Sequence, residues 1–102
     1  MSYSSIGVID SNNDMSITGF MGYQILFIDA TNNNINIILP LNSNLGASYL
    51  FIRIDNSTNI VTFSCQIGDT INNNSSLTYP VKTQSQVFYN NNNWLFPLVA
   101  FN

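Results

Sequence analysis

Short runs of β-branched and aromatic residues alternate with clusters of Asn, Ser, Gly and Asp along the chain. Within several runs, apolar and polar side chains alternate with the two-residue period of a strand. Strong helix formers are scarce, with no Glu, one Lys and three Ala. The turns recur about every ten residues, which is typical of an all-β sandwich or barrel. The pattern predicts strands near residues 5–9, 15–20, 24–29, 35–39, 49–55, 59–65, 77–81, 84–89 and 94–101.

We expect these strands to form a small antiparallel β-sandwich or barrel of the jelly-roll type. Residues 49–65 predict a β-hairpin, because two alternating runs flank the turn-forming sequence DNST. On the first run, Leu50, Ile52 and Ile54 share one face, which we expect to point into the core. The remaining predicted core residues are Val61, Phe63, Ile71, Val87 and Trp94.

The Asn runs are predicted to be tight turns. The segments TNNNI, INNNSS and YNNNNW each connect two apolar runs and contain no glycine. Asn tolerates the left-handed backbone region better than other non-glycine residues, because its short amide bonds to the nearby main chain.

The two ends of the chain differ from its middle. Residues 1–22 alternate weakly and hold three of the five Gly, which indicates an N-terminal connecting or strand-exchange segment before a β domain over 23–102. The C-terminal sequence WLFPLVAF is non-polar on both faces, so it needs cover on two sides. We therefore expect a homo-oligomer, with a subunit interface formed by Phe96, Leu98, Val99 and Phe101.

Charge is scarce, with five Asp, one Arg and one Lys, for a net charge of −3. Two cations cannot neutralise a series of phosphates, so the composition argues against a nucleic-acid partner and against an anionic membrane surface. Cys65 is the single cysteine, which excludes an intramolecular disulfide. No apolar run reaches 18 residues and the N-terminus lacks a basic region before an apolar one, so we expect neither membrane insertion nor secretion.

Candidate chemistry is limited. Asp10, Asn12 and Asp14 occupy the first three ligand positions of a calcium loop, but Met15 and Met21 stand where that loop needs Gly and a bidentate Glu. A polar turn is therefore favoured over a metal site.

Catalysis is disfavoured as well. With no His, a serine triad and a zinc site lack their usual residues. Asp29, Asp55 and Asp69 each lie at a strand-to-turn junction, where Asp commonly bonds backbone amides, and nothing pairs them as catalytic carboxylates. We expect no enzymatic activity and no cofactor.

Trp94, the single Trp, allows two interpretations. It could anchor the core on the last strand, or it could form a stacking platform for a sugar together with Tyr89. The core anchor is favoured, because aromatic side chains supply much of the burial in small β domains.

The order of segments over residues 24–96 resembles that of the β-rich head or knob domains of phage tail fibres and other virion fibre proteins. The shared parts are an apolar strand ending in Leu-Pro, a polar loop with Gly, a hairpin, a Gly-Asp-x-Ile-Asn-Gly turn, a strand of Tyr-x-Leu type, a strand of alternating Gln, Ser and Val, and a short Gly or Asn turn into Trp. In this chain they are INIILP (35–40), LNSNLGAS (41–48), YLFIRIDNSTNIVTFSC (49–65), GDTIN (68–72), SLTYPVKTQSQVFY (76–89) and NNNNW (90–94). Asn73 departs from the pattern, which usually has Gly there.

The resemblance implies a non-enzymatic virion structural protein, a fibre-head or capsid-decoration domain with a role in host attachment. It also implies a homotrimer, a location in the virion, contacts with other virion proteins and, through its distal loops, a host surface glycan. The alternative is a cellular carbohydrate-binding or adhesin module that uses Trp94 and Tyr89.

Overall fold

The structure, a computed structural model, describes residues 5–10, 15–16, 24–40 and 48–101. These ranges contain strands and turns but no helix. The strands are β1 (Ser5–Ile9), β2 (Met15–Ser16), β3 (Gln24–Ile28), β4 (Ile35–Ile38), β5 (Ser48–Arg53), β6 (Val61–Ser64), β7 (Thr70–Ile71), β8 (Ser76–Thr78), β9 (Thr83–Asn90), β10 (Asn93–Leu95) and β11 (Val99–Ala100).

The strands form two sheets, which confirms the all-β, sandwich-like prediction. The larger sheet has the order β1-β3-β5-β9-β10-β7, and β11 also pairs with β9. The smaller sheet has the order β2-β4-β6-β8. Apolar side chains from both sheets meet between them in a single core.

The strand pairing is mixed, so the expectation of an antiparallel sheet is wrong. β3 pairs in parallel with β1 and β5, and β4 pairs in parallel with β2 and β6. From β1 to β6 the chain alternates between the two sheets, so each strand returns beside the strand two elements earlier with the same direction. Antiparallel pairing begins when β8 joins β6 and β9 joins β5.

The predicted hairpin over residues 49–65 is also wrong. Its two strands, β5 and β6, form in the expected places but belong to different sheets. The connection at 54–60 crosses from one sheet to the other instead of turning back within one. A hairpin and a crossover have similar turn-forming sequences, so the choice depends on the non-local parallel partners β3 and β4.

The core-facing side of β5 is opposite to the one predicted. Tyr49 and Phe51 are buried, whereas Leu50 and Ile52 point outward and Ile54 is 51% exposed. The larger aromatic rings fill more of the space between the sheets, and Phe51 packs edge-on against Phe63 at a centroid distance of 4.7 Å. The other predicted core residues are confirmed as buried: Val61, Phe63, Ile71, Val87 and Trp94.

Two of the Asn runs form tight turns without glycine, as predicted. Asn91 and Asn92 have φ of 54° and 64°, and their neighbours Asn90 and Asn93 pair with each other across β9 and β10. The turn at Asn72 and Asn73 has the same form, with φ of 47° and 67° between the bridged Ile71 and Asn74. Two consecutive left-handed residues match the twist of the flanking strands, which favours this hairpin turn.

These left-handed positions lead to a testable difference between substitutions. We expect Asn91→Ala to lower the free energy of unfolding by about 1–2 kcal/mol, because a Cβ without a compensating amide is unfavourable at positive φ. Asn91→Gly should be close to neutral, since glycine adopts this region freely. Urea denaturation of both variants measures the difference, with Asn90→Ala, at an exposed position outside the left-handed region, as the control. Equal losses for Ala and Gly would contradict the assignment.

Both ends of the chain take part in the sheets. Within the segment 1–22, β1 and β2 pair with β3 and β4 of the same chain, and most of that segment lies outside the described residues. The predicted last strand, 94–101, is divided into β10 and β11 at Pro97. Proline cannot donate a ladder hydrogen bond, so the break falls where the chain has no donor.

Candidate functional site

Arg53 and Asp55 form a buried ion pair at the end of β5. Arg53 Nε donates to Asp55 Oδ1 and Nη2 donates to Oδ2, both at 3.1 Å, in a bidentate arrangement. Both residues are nearly inaccessible to solvent. Because the two residues are separated by two positions, both side chains lie on the inward face of the chain.

The remaining donors of Arg53 bind main-chain carbonyls. Nη1 donates to the carbonyl oxygen of Tyr79 at 2.7 Å, and Nη2 donates to that of Asn59 at 2.6 Å. The guanidinium therefore connects β5 to the crossover at 54–60 and to the segment after β8. It acts as a cross-link between the two sheets.

Asp55 accepts further hydrogen bonds from the polypeptide around it. The backbone N–H groups of Ala30 and Ser57 donate to its carboxylate at 2.9 and 3.1 Å, and the Ser57 hydroxyl donates at 2.6 Å. Burial alone raises the pKa of Asp55, but the hydrogen bonds from Arg53, Ser57 and Ala30 outweigh it and hold the pKa well below its usual range. The carboxylate is thus charged, and its hydrogen bonds stabilise the fold.

A second buried polar cluster lies between β9 and β7. The Tyr89 hydroxyl donates to Asp69 Oδ1 at 2.8 Å and lies 3.0 Å from Asn92 Oδ1. Burial and the bond to Asp69 raise the pKa of Tyr89 to about 12. Cys65 lies nearby, with Sγ 3.1 Å from the carbonyl oxygen of Asp69, and burial raises the pKa of its thiol. A phenol and a thiol whose anionic forms are disfavoured are poor nucleophiles at neutral pH.

The predicted sugar platform is wrong. Trp94 is 0% exposed and Tyr89 is also buried. Their rings are tilted against each other with centroids 4.9 Å apart, and Tyr49 packs on Trp94 at 5.7 Å. No face of either ring is available to a ligand, and the core-anchor interpretation of Trp94 is confirmed.

The predicted interface residues separate into two groups. Phe96 is buried in the core of its own chain, stacked on Phe51 at a centroid distance of 6.1 Å, so its assignment to a subunit interface is wrong. Phe96 continues the alternation of β10, in which Trp94 is buried and Leu95 is exposed. Leu98 and Val99 are exposed and Phe101 is partly buried, so these three remain available for a contact.

The calcium candidate cannot be assembled from the described residues. Asp10 is exposed at the end of β1, while Asn12 and Asp14 lie outside the described ranges. Within those ranges, no three His, Cys, Asp or Glu side chains lie close enough together to hold a metal ion. The Asp29 carboxylate accepts hydrogen bonds from the hydroxyl and the backbone N–H of Thr31, and so stabilises the turn after β3, as expected.

Removing divalent metal should therefore leave the fold unchanged. We expect the same midpoint of thermal unfolding with and without a chelator such as EDTA, since the loop at 10–14 lacks the Gly and the bidentate acid of a calcium loop. Differential scanning calorimetry measures this. A fall in the midpoint that added calcium reverses would restore Asp10, Asn12 and Asp14 as ligands.

Sequence reasoning missed the structural role of Arg53. A signal was present, because Arg53 and Asp55 are two residues apart on one strand face in a chain that has only two cations. The opposite face, with Leu50, Ile52 and Ile54, is the more apolar one, so local pattern favours it as the core side although the structure buries Arg53 and Asp55.

None of the described segments is a helix long and apolar enough to cross a membrane. The chain matches no protein-family model, and comparisons with curated proteins and with solved structures find no match either.

Proposed function

We propose that the chain is a non-enzymatic structural module of a virion, a fibre-head or capsid-decoration domain that contributes to host attachment. The observation that carries the proposal is the ordered series of segments over residues 24–96 that resembles virion fibre heads. Such a module works through the shape and durability of its surface, so it needs a rigid scaffold and no reactive group.

The geometry supports this kind of role in two ways. First, the buried charged groups Arg53, Asp55 and Asp69 bind other parts of the chain, and Arg53 connects the larger sheet to the segment after β8 of the smaller one. Second, three of the resembling segments coincide with structural units: INIILP with β4, GDTIN with β7 and its turn, and NNNNW with the turn into β10. The segment 49–65 departs from the pattern, since it forms a crossover between the sheets instead of a hairpin. The alternative of a carbohydrate-binding module loses the two residues on which it was based, since Trp94 and Tyr89 are buried.

Detection of the protein in purified particles tests the proposal. We expect mass spectrometry of density-purified virions from the virus that encodes the chain to contain its peptides at a constant ratio to the capsid protein. Immunogold labelling with antibodies against the recombinant chain should then mark the particle surface. Absence from purified particles, together with presence in a cellular fraction, would overturn the proposal.

Host attachment is tested separately. Fluorescently labelled recombinant chain should bind host cells and compete with intact particles for adsorption. A heat-unfolded sample of the same protein is the control. If the chain is a virion component but does not compete, it is a decoration domain without an attachment role.

A further inference from the structure

The outward side of the larger sheet is a continuous apolar surface, which we call the outer face. Its composition follows from the register of the paired strands. One cross-strand row consists of Val8, Phe27, Ile52, Gln84 and Val99, in that order across β1, β3, β5, β9 and β11.

Two further rows lie beside the first. Ile25, Leu50 and Gln86 are aligned across β3, β5 and β9. Ser48, Phe88 and Leu95 are aligned across β5, β9 and β10. The outer face therefore has eight apolar side chains, three uncharged polar ones and, among the described residues of these rows, no charge.

Solvent reaches much of this apolar surface. Val8 and Val99 are more than half exposed, and Phe88 and Leu95 are 43% and 40% exposed, while the four central apolar residues of β3 and β5 are half-buried by their neighbours. The nearest charges on these strands lie at one end of the face, where Asp10 and Asp29 directly follow β1 and β3 and Lys82 directly precedes β9. Contiguous exposed apolar patches of this kind mark interaction sites.

We propose that the outer face is a self-association surface, covered in solution by the outer face of a second copy of this chain. The proposal is independent of the virion role. A partner for this face must be flat, apolar and uncharged, because any charge placed on it would be desolvated without a counter-charge. The outer face itself meets those requirements, so two copies are complementary.

Electrostatic repulsion between copies is small. The net charge is only −3, and of the five Asp, Asp55 and Asp69 are buried within the chain. Asp10, Asp29 and Lys82 lie at the border of the face, where water and salt screen them.

The polar residues of the face also fit a copy of itself. Gln84 lies in the row of Val8 and Val99, and its amide carries both donors and an acceptor. In an isologous contact a residue faces its own copy only near the two-fold axis, and a Gln84 placed there can donate to the Gln84 amide of the second copy and accept in return.

The size of the face sets the expected strength of association. Five strands about 4.8 Å apart, with four to five residues each at about 3.3 Å, cover a flat area of roughly 350 Å². This is below the roughly 800 Å² per partner of a standard interface, so we expect reversible association that depends on concentration. Two sheet faces would pack about 10 Å apart, as in a sandwich.

Sedimentation velocity across a wide concentration range tests the proposal. We expect the wild-type mass to rise from 11.4 kDa toward twice that value as concentration increases. The double variant Phe88→Lys/Leu95→Lys places two cations on paired positions of the face and should remain monomeric. The matched control is Ile60→Lys/Ile67→Lys, which changes two exposed isoleucines away from the face and should associate like the wild type.

Circular dichroism of each variant verifies that the fold is retained. If the double variant does not fold, Val99→Lys, a change at a 52% exposed position in the row of Ile52 and Gln84, takes its place. A wild-type protein that stays at 11.4 kDa throughout overturns the proposal. So does a folded Lys variant of the face that associates as strongly as the wild type, because the contact would then use another surface.

Discussion

Arg53→Met is expected to lower the free energy of unfolding by about 3–5 kcal/mol, because removing one partner leaves the other charge buried without compensation. The substitution removes both hydrogen bonds to Asp55 and the bonds to the carbonyl oxygens of Tyr79 and Asn59. Domains of this size have a total stability of about 5–15 kcal/mol, so the loss is a large part of it. Urea denaturation monitored by circular dichroism measures the change.

The control for this substitution is Lys82→Met, which removes the only other cation from an exposed position in the turn before β9. Charge alone changes by the same amount in both variants. Little loss is expected for Lys82→Met, and a similar loss in the two variants would mean that net charge, rather than the buried pair, is responsible.

Acid should destabilise the wild type through the same pair. The pKa of Asp55 is lower in the folded protein than in the unfolded chain, so below about pH 5 the unfolded state binds more protons. The contribution is therefore complete at neutral pH and is lost as the pH falls through the unfolded pKa, near 3.9, and below it. We expect the free energy of unfolding of the wild type to fall between pH 6 and pH 3, and that of Asp55→Asn to be lower at pH 6 but to vary less. Parallel pH profiles for the two proteins would contradict this role of Asp55.

Trp94→Ala is the second substitution with a large expected effect. Trp94 contacts Tyr49 and Tyr89, and its side chain is completely buried between β9 and β7. Large-to-small changes of buried aromatic residues cost about 3–5 kcal/mol, through lost transfer free energy and the cavity that remains. Thermal and urea unfolding should both show the loss, whereas Ile67→Ala, at a fully exposed position, should have little effect.

Trp94→Phe distinguishes the contribution of ring packing from the effect of the buried indole N–H. Among the described residues the indole Nε1 has no hydrogen-bond partner although it is buried. An unsatisfied buried donor is unfavourable by about 1–3 kcal/mol, and phenylalanine removes it. We therefore expect Trp94→Phe to be much less destabilising than Trp94→Ala. If the two were equally destabilising, Nε1 would have a partner that stabilises the fold.

Most strand and turn positions follow from local pattern. Apolar alternation identified nine runs, and each of them contains the centre of at least one strand of the described ranges. The short β7 was missed, because two residues are too few to show a period. The turns at Asn72 and Asn91 were predictable because the left-handed tendency of Asn is a property of the residue itself.

The candidate site was less predictable. Trp94 was correctly expected in the core, but Tyr89 and Phe96 were not, since alternation in an apolar strand does not say which side is covered. Both sides of β5 could have been buried on composition alone. The two-residue period determines which side chains share a face. Because Arg53 and Asp55 lie on the same face as Tyr49 and Phe51, that face is the less apolar of the two by sequence.

What the sequence by itself determined is the all-β class, the positions of most strands and the glycine-free turns, because these depend on residues that are neighbours along the chain. Only the tertiary structure decided that β5 and β6 lie in different sheets, that β1, β3 and β5 run in parallel, and which side of β5 faces inward. Strand partners are far apart in sequence, and alternative pairings differ in the total apolar surface that they bury. A buried Arg53 becomes favourable only when Asp55 and the carbonyl oxygens of Tyr79 and Asn59 surround it, and these come together only in the folded chain.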